Sequence, residues 1–144
     1  MTDIQHFTKL TKEIKFAMLT TTCSEDQSLK SRPMTLQETE FDGDLWFFAD
    51  RFSKLAKDIE ANPKVNLAFS DTKANSYLSA TGQAEIVIDQ EKAKQLWNPF
   101  YKAWFEQGLD DPKLCLINYR QARPPQYQLK CFISVPPVGR SQQY

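Results

Sequence analysis

Apolar runs in this chain are short and repeatedly cut by turn formers, so its core has to be assembled from many brief strands rather than a few long helices. Residues 16–22 are β-rich and run into Ser24-Glu25-Asp26-Gln27-Ser28, a cluster that predicts a hairpin. Residues 29–37 read as the second strand. Pro33 interrupts it, cannot donate to a ladder, and so marks an edge or a bulge where something can approach the backbone. Asp42-Gly43 is a hairpin signal that delivers the chain into residues 44–49, where Leu45, Trp46, Phe47 and Phe48 favour a strand. Val65, Leu67 and Phe69 alternate with Asn66, Ala68 and Ser70, giving residues 64–71 one drier face. Residues 76–88 form a longer strand, and Gly82 within it suggests a bulge or a bend at a barrel corner. Residues 113–119 and 127–133 complete the set, separated by the stop Arg123-Pro124-Pro125. Six or seven short antiparallel strands hide their edges best by closing, and the fold class follows: mainly β with flanking helices (α+β), a closed or partly closed barrel.

Helical spacing appears in three places. Ile4, Phe7, Leu10 and Ile14 share a face behind a cap at Thr2 or Asp3 and should pack on the barrel. Ser53 can cap a helix to about residue 61, ended by Asn62-Pro63. Asp89 opens a third, broken at Asn98-Pro99 and resumed through Trp104. The 144 residues are the length of one domain, taken as 1–134, with 135–144 a loose tail. Lys plus Arg and Asp plus Glu both number 18, which leaves no overall field to steer nucleic acid or an anionic membrane toward the protein. The charged N-terminus carries no apolar stretch of signal-peptide length, and no apolar run is long enough to cross a bilayer, so a cytoplasmic location is expected. Cys23, Cys115 and Cys131 are odd in number and widely spaced, as reduced buried thiols would be. His6 is the single histidine and has no partners at metal-ligand spacing.

From Lys30-Ser31-Arg32-Pro33-Met34 onward the sequence resembles the pyridoxamine-phosphate-oxidase-like flavoproteins, in particular the branch known as general stress protein 26. The likeness continues through Asp42-Gly43-Asp44-Leu45-Trp46-Phe47-Phe48-Ala49-Asp50, Ser53-Lys54, and Asn62-Pro63-Lys64-Val65-Asn66-Leu67-Ala68-Phe69-Ser70-Asp71. It resumes at Tyr77-Leu78-Ser79-Ala80-Thr81-Gly82-Gln83-Ala84-Glu85, at Trp97-Asn98-Pro99-Phe100-Tyr101-Lys102-Ala103-Trp104-Phe105, and at Gly108-Leu109-Asp110-Asp111-Pro112. Each piece is common alone. The ordered series, covering most of residues 7–119, is specific.

The resemblance implies a six- to seven-stranded antiparallel split β-barrel that forms a homodimer, with two FMN sites each built from both subunits. FMN ends in a phosphate carrying about −1.5 to −2 charges. Arg32, Ser53, Lys54 and the free N–H groups opening the Ser53 helix are the donors such a group needs. Ser53 also has the plainer role of a cap, and Lys54 that of a solvated charge. Arg32, Pro33, Met34 and Thr35 would offer main-chain groups to the pyrimidine edge of the flavin, and Phe48 and Ala49 match the strand end beside the ribityl chain. Tyr77 falls where related oxidases send a polar side chain to the partner's flavin; otherwise it is an ordinary strand tyrosine. The aromatic cluster Trp97, Phe100, Tyr101, Trp104 and Phe105 reads as core or dimer packing, with some members walling the pocket. The function implied is a flavin-dependent oxidoreductase of unidentified small-molecule substrate, linked to stress response. The alternative is a non-enzymatic flavin carrier or store. A third reading, an interaction module without its cofactor, is favoured by Ala122-Arg123-Pro124-Pro125-Gln126-Tyr127, where the family closes its last strand with an Ala-Glu-Tyr-Trp-like segment. A true pyridoxamine-phosphate oxidase is not expected, because its C-terminal histidine has no counterpart here.

Overall fold

A computed structural model describes residues 2–36, 44–122 and 129–133. The Asp42-Gly43 hairpin, the Arg123-Pro124-Pro125 stop, residues 135–144, and the side chains of His6 and Cys131 lie outside what is described. Helix α1 (Asp3–Glu13) starts at Thr2, whose hydroxyl accepts from the Gln5 N–H while the Gln5 side chain accepts from the Thr2 N–H. Its Phe7 and Leu10 are buried, and Phe7 meets Phe69 edge-on with centroids 5.6 Å apart. Strands β1 (Phe16–Thr22) and β2 (Leu29–Thr35) form the expected hairpin. Strand β3 (Asp44–Asp50) leads into α2 (Lys54–Ala61), and β4 (Lys64–Asp71) pairs with β5 (Ser76–Val87). Helix α3 (Gln90–Leu96), capped by Asp89, and two 3-10 turns at Pro99–Ala103 and Gly108–Asp110 precede β6 (Leu114–Gln121) and β7 (Leu129–Ile133). No described helix is long and apolar enough to cross a membrane.

The seven described strands make one antiparallel sheet in the order β2-β1-β4-β5-β6-β3, curled into the expected split half-barrel, with β7 joining β5. Strand β5 is long enough to take two partners in succession along one edge. Residues 76–80 pair with β7 and 82–87 with β6, while β4 follows the other edge. The main core gathers Leu19, Phe47, Leu67, Phe69, Leu78, Ile117 and Tyr119 inside this curl. A smaller cluster of Leu96, Tyr101, Phe105, Leu114 and Leu116, with Trp46, Phe48 and Trp97 against it, lies on the other side of β3 and β6. Strand β6 is therefore dry on both faces: Cys115, Ile117 and Tyr119 serve the main core, Leu114 and Leu116 the smaller one.

Two positions depart from ordinary strand chemistry for different reasons. The register runs through Gly82 without a slip on either side, so no bulge forms there. A Cβ at Gly82 would instead collide with the Arg120 carbonyl and lie 2.6 Å from two atoms of the Tyr119 ring. Close approach, not conformation, demands glycine. Pro33 sits on β2, at the end of the strand order, and its register with β1 is also unbroken, which makes it an edge proline rather than a bulge.

Candidate functional site

Arg32 and Lys54 come from separate elements, β2 and the first turn of α2, yet both reach the carboxylate of Asp58. Asp58 faces inward with Leu55, Ala56 and Ile59, and its side chain is 0% exposed. Its Oδ1 accepts from the Ser24 N–H and the Ser24 hydroxyl, each at 3.0 Å, tying the β1–β2 turn to the helix. Lys54 Nζ lies 3.8 Å from the same oxygen. Oδ2 is buried without a hydrogen bond and has Arg32 Nη2 at 3.6 Å, an ion pair too long for a hydrogen bond. The Ser24 N–H, with help from the Ser24 hydroxyl and the two cations, holds Asp58 below the ordinary carboxylate range, although burial pushes the other way. Arg32 is fixed from its other side, Nη1 donating to the buried Thr21 hydroxyl at 3.0 Å.

Both cations stay reachable from solvent, the side chains of Arg32 and Lys54 being 28% and 45% exposed. Glu25, 80% exposed, meets Lys54 Nζ at 3.2 Å and holds that ammonium above its usual value. Ser53 behaves as a cap: its hydroxyl donates to the Asp50 carbonyl at 2.6 Å and accepts from the Ala56 N–H at 3.2 Å. That hydroxyl proton is engaged, and what the helix start offers an anion is main chain, since the N–H groups of Lys54 and Leu55 have no intrahelical acceptor.

Of the four residues expected to offer main-chain donors, Arg32, Pro33, Met34 and Thr35, the strand register turns only the Thr35 N–H away from β1. Leu36 N–H bonds the Lys15 carbonyl and Cys23 N–H the Ser28 carbonyl, so the hydrogen-bonded pairs between them are Ala17 with Met34, Leu19 with Arg32 and Thr21 with Lys30. Arg32 and Met34 therefore turn their N–H groups to β1. Ser31, Pro33 and Thr35 face the opposite edge, which no described strand pairs with and where Pro33 has no proton to give. The Met34 side chain is buried opposite Ala17.

The remaining expected residues divide. Ala49 is buried in the main core and opposite Cys115, whereas Phe48 points the other way, 4.6 Å from the Tyr101 ring centroid and 5.7 Å from that of Trp97. Among the aromatic group, Tyr101 and Phe105 are buried, and Phe100 and Trp104 pack on each other in the open. Tyr77 is half-buried on the outer face of β5. The row Arg32, Leu19, Leu67, Ala80 lies on the core face, so Tyr77 and Arg32 of one chain project from opposite faces of the sheet. Sequence reasoning missed Asp58, Thr21, Ser24 and Glu25. The signal for Asp58 was present: it follows Lys54 by four residues and stands on the apolar stripe of its helix.

Residues 2–125 match the model of the family described as pyridoxamine 5'-phosphate oxidase like. The chain belongs to that family. Protein bli-3 of Neurospora crassa is 32% identical over 115 residues, which are 74% of this chain and 55% of that protein. The chain thus spans about half the length of that curated relative. The general stress FMN/FAD binding protein of Xanthomonas citri superposes with a TM-score of 0.75 at 26% identity, over 97% of this chain and 94% of that one. General stress protein 26 of Bacillus anthracis str. Sterne gives 0.70 at 24% identity over 83% and 90%, a likeness of fold. The expected split-barrel architecture and family membership both hold.

Proposed function

We propose that this member of the pyridoxamine 5'-phosphate oxidase-like family binds FMN, with the phosphate on Arg32, Lys54 and the first N–H groups of α2. The observation that carries the reading is the convergence of two solvent-reachable cations from separate elements beside a helix start. Lys54, now paired with the exposed Glu25 carboxylate, would hold the phosphate in its place. The Ser31 and Thr35 N–H groups, on the edge of β2 that no described strand pairs with, would hold the flavin ring. A relative named as an FMN/FAD binding stress protein supports the choice of ligand. A second copy of the chain completes the site with its own Tyr77, which within one chain faces away from Arg32 and shares the outer face with exposed Phe16 and Met18. Bound FMN supplies hydride and single-electron chemistry that the side chains lack. The protein's part is to bind and orient it for oxidoreduction of a small molecule. Anaerobic reduction of bound flavin by NADH or NADPH, no faster than free FMN and for every donor tried, would leave a carrier instead.

Calorimetric titration with FMN and riboflavin tests the phosphate site. FMN should bind at least about tenfold tighter, and replacing Arg32 and Lys54 with alanine should remove most of that preference, two charged hydrogen bonds contributing on the order of 1.5 to 3 kcal/mol each before desolvation. Equal affinities in the unmodified protein would refute the assignment.

A further inference from the structure

We propose that Asp58 is a positioning residue for the anion site, holding Arg32 and Lys54 together so that both cations meet one phosphate; the inference rests on the FMN reading above. Two cations brought to one place from different elements repel each other, and something between them must offset that repulsion. Asp58 stands between them. Its Oδ1 faces Lys54 Nζ at 3.8 Å and its Oδ2 faces Arg32 Nη2 at 3.6 Å. The carboxylate cannot drift, because it is fully buried and Ser24 grips Oδ1 with both its N–H and its hydroxyl. It also cannot reach solvent to bind a ligand itself. A buried oxygen with no hydrogen bond is costly, and its nearest cation is the guanidinium that Thr21 fixes from the opposite side. Glu25 is the contrasting carboxylate: same Lys54, solvent side, free to leave.

The two carboxylates separate positioning from simple charge. By Coulomb's law alone, neutralising either one strengthens binding of an anion nearby. Positioning reverses the sign for Asp58. An amide there sets its NH2 group against either the Arg32 guanidinium or the Ser24 N–H, so one of the two contacts is lost and a cation is released.

Full-length wild type, Asp58→Asn and Glu25→Gln are titrated calorimetrically with FMN and with riboflavin, with thermal unfolding recorded for each. Glu25→Gln should raise the FMN-over-riboflavin affinity ratio severalfold. Asp58→Asn should lower it about tenfold, as expected for one weakened charge-assisted contact, while riboflavin affinity holds. A structural role alone would lower the melting temperature and weaken both ligands together. An unchanged or raised ratio in Asp58→Asn overturns the proposal. Should Asp58→Asn not fold, Ser24→Ala removes one of the two grips on Oδ1 and keeps every charge; it should lower the ratio about threefold, and a ratio equal to wild type overturns the proposal equally. Wild type without a preference for FMN refutes the phosphate reading and this inference with it; a preference that survives in Asp58→Asn refutes the inference alone.

Discussion

Replacing Gly82 by alanine adds one methyl group at the point where β5 changes partners, and the space for it is already taken. The new Cβ would lie 2.6 Å from both Cε2 and Cζ of Tyr119 and closer still to the Arg120 carbonyl. Carbon contacts settle near 3.5 to 4.0 Å, so the ring has to retreat by roughly 1 Å. Tyr119 is fully buried, and its hydroxyl donates to Gln121 Oε1 at 2.8 Å. Gln121 Nε2 in turn donates to the Thr81 carbonyl at 2.8 Å, so displacing the ring loosens the tie between β5 and the end of β6. Overpacking costs about 1 to 3 kcal/mol and a strained buried hydrogen bond about 1 more, which together give about 2 to 4 kcal/mol. For a domain of this size that is a fall in Tm of roughly 6 to 12 °C, measurable by circular dichroism. Tyr119→Leu removes the obstructing ring. In a double-mutant cycle the Gly82→Ala penalty should then shrink by at least about 1 kcal/mol. Gly82→Ala within about 0.5 kcal/mol of wild type, or strict additivity in the cycle, would refute the steric account.

Two titrating groups give further expectations. Burial pushes the Cys115 thiol from 9.0 up to about 11, so native protein at pH 8 should alkylate there at least about a hundredfold more slowly than unfolded chain, as peptide mapping with iodoacetamide would show. Because the unfolded thiol ionises first, stability also falls as pH rises above 9.0. Asp58 has the opposite sign: its folded value lies below 3.8, so its contribution is complete above that pH and is lost as pH falls through the folded value. Urea melts from pH 6 down to about 2 should show a shallower acid limb for Asp58→Asn than for wild type, and parallel limbs would contradict this.

Much of the fold was legible because local chemistry and tertiary need agree. Thr2, Ser53, Asp89 and Asn98 each cap the helix or turn that follows, since a short side chain that accepts a hydrogen bond suits that place wherever the helix packs. Alternation in β4 survives as one buried face because only that face meets the core. Strand β6 was harder: its alternation is real, but α3 and the aromatic turns cover the second face, and a strand does not announce what a later segment will lay over it. Gly82 looked like a corner because glycine in a strand usually is one; the reason it is glycine here sits 37 positions further on, in the ring of Tyr119. At the site, Arg32 and Lys54 were found as cations, while the buried group that unites them was not, because a carboxylate on a helix reads as solvated until its partners from the β1–β2 turn and β2 are in view. Phe48, expected beside a ligand, packs on the rings of Tyr101 and Trp97, a placement that the strand's parity makes.

A sheet margin with unused donors ordinarily recruits another polypeptide, and that is the route to aggregation. Along β2 the outward N–H groups are those of Leu29, Ser31 and Thr35, and Pro33 deletes the one that would make the series continuous. A foreign strand laid there meets a gap in the middle of its ladder and the bulk of a pyrrolidine ring where it needs a proton. A planar molecule a few ångströms across needs only one or two donors and loses nothing. The same proline that makes β2 a poor template for self-association would leave the proposed flavin contact intact.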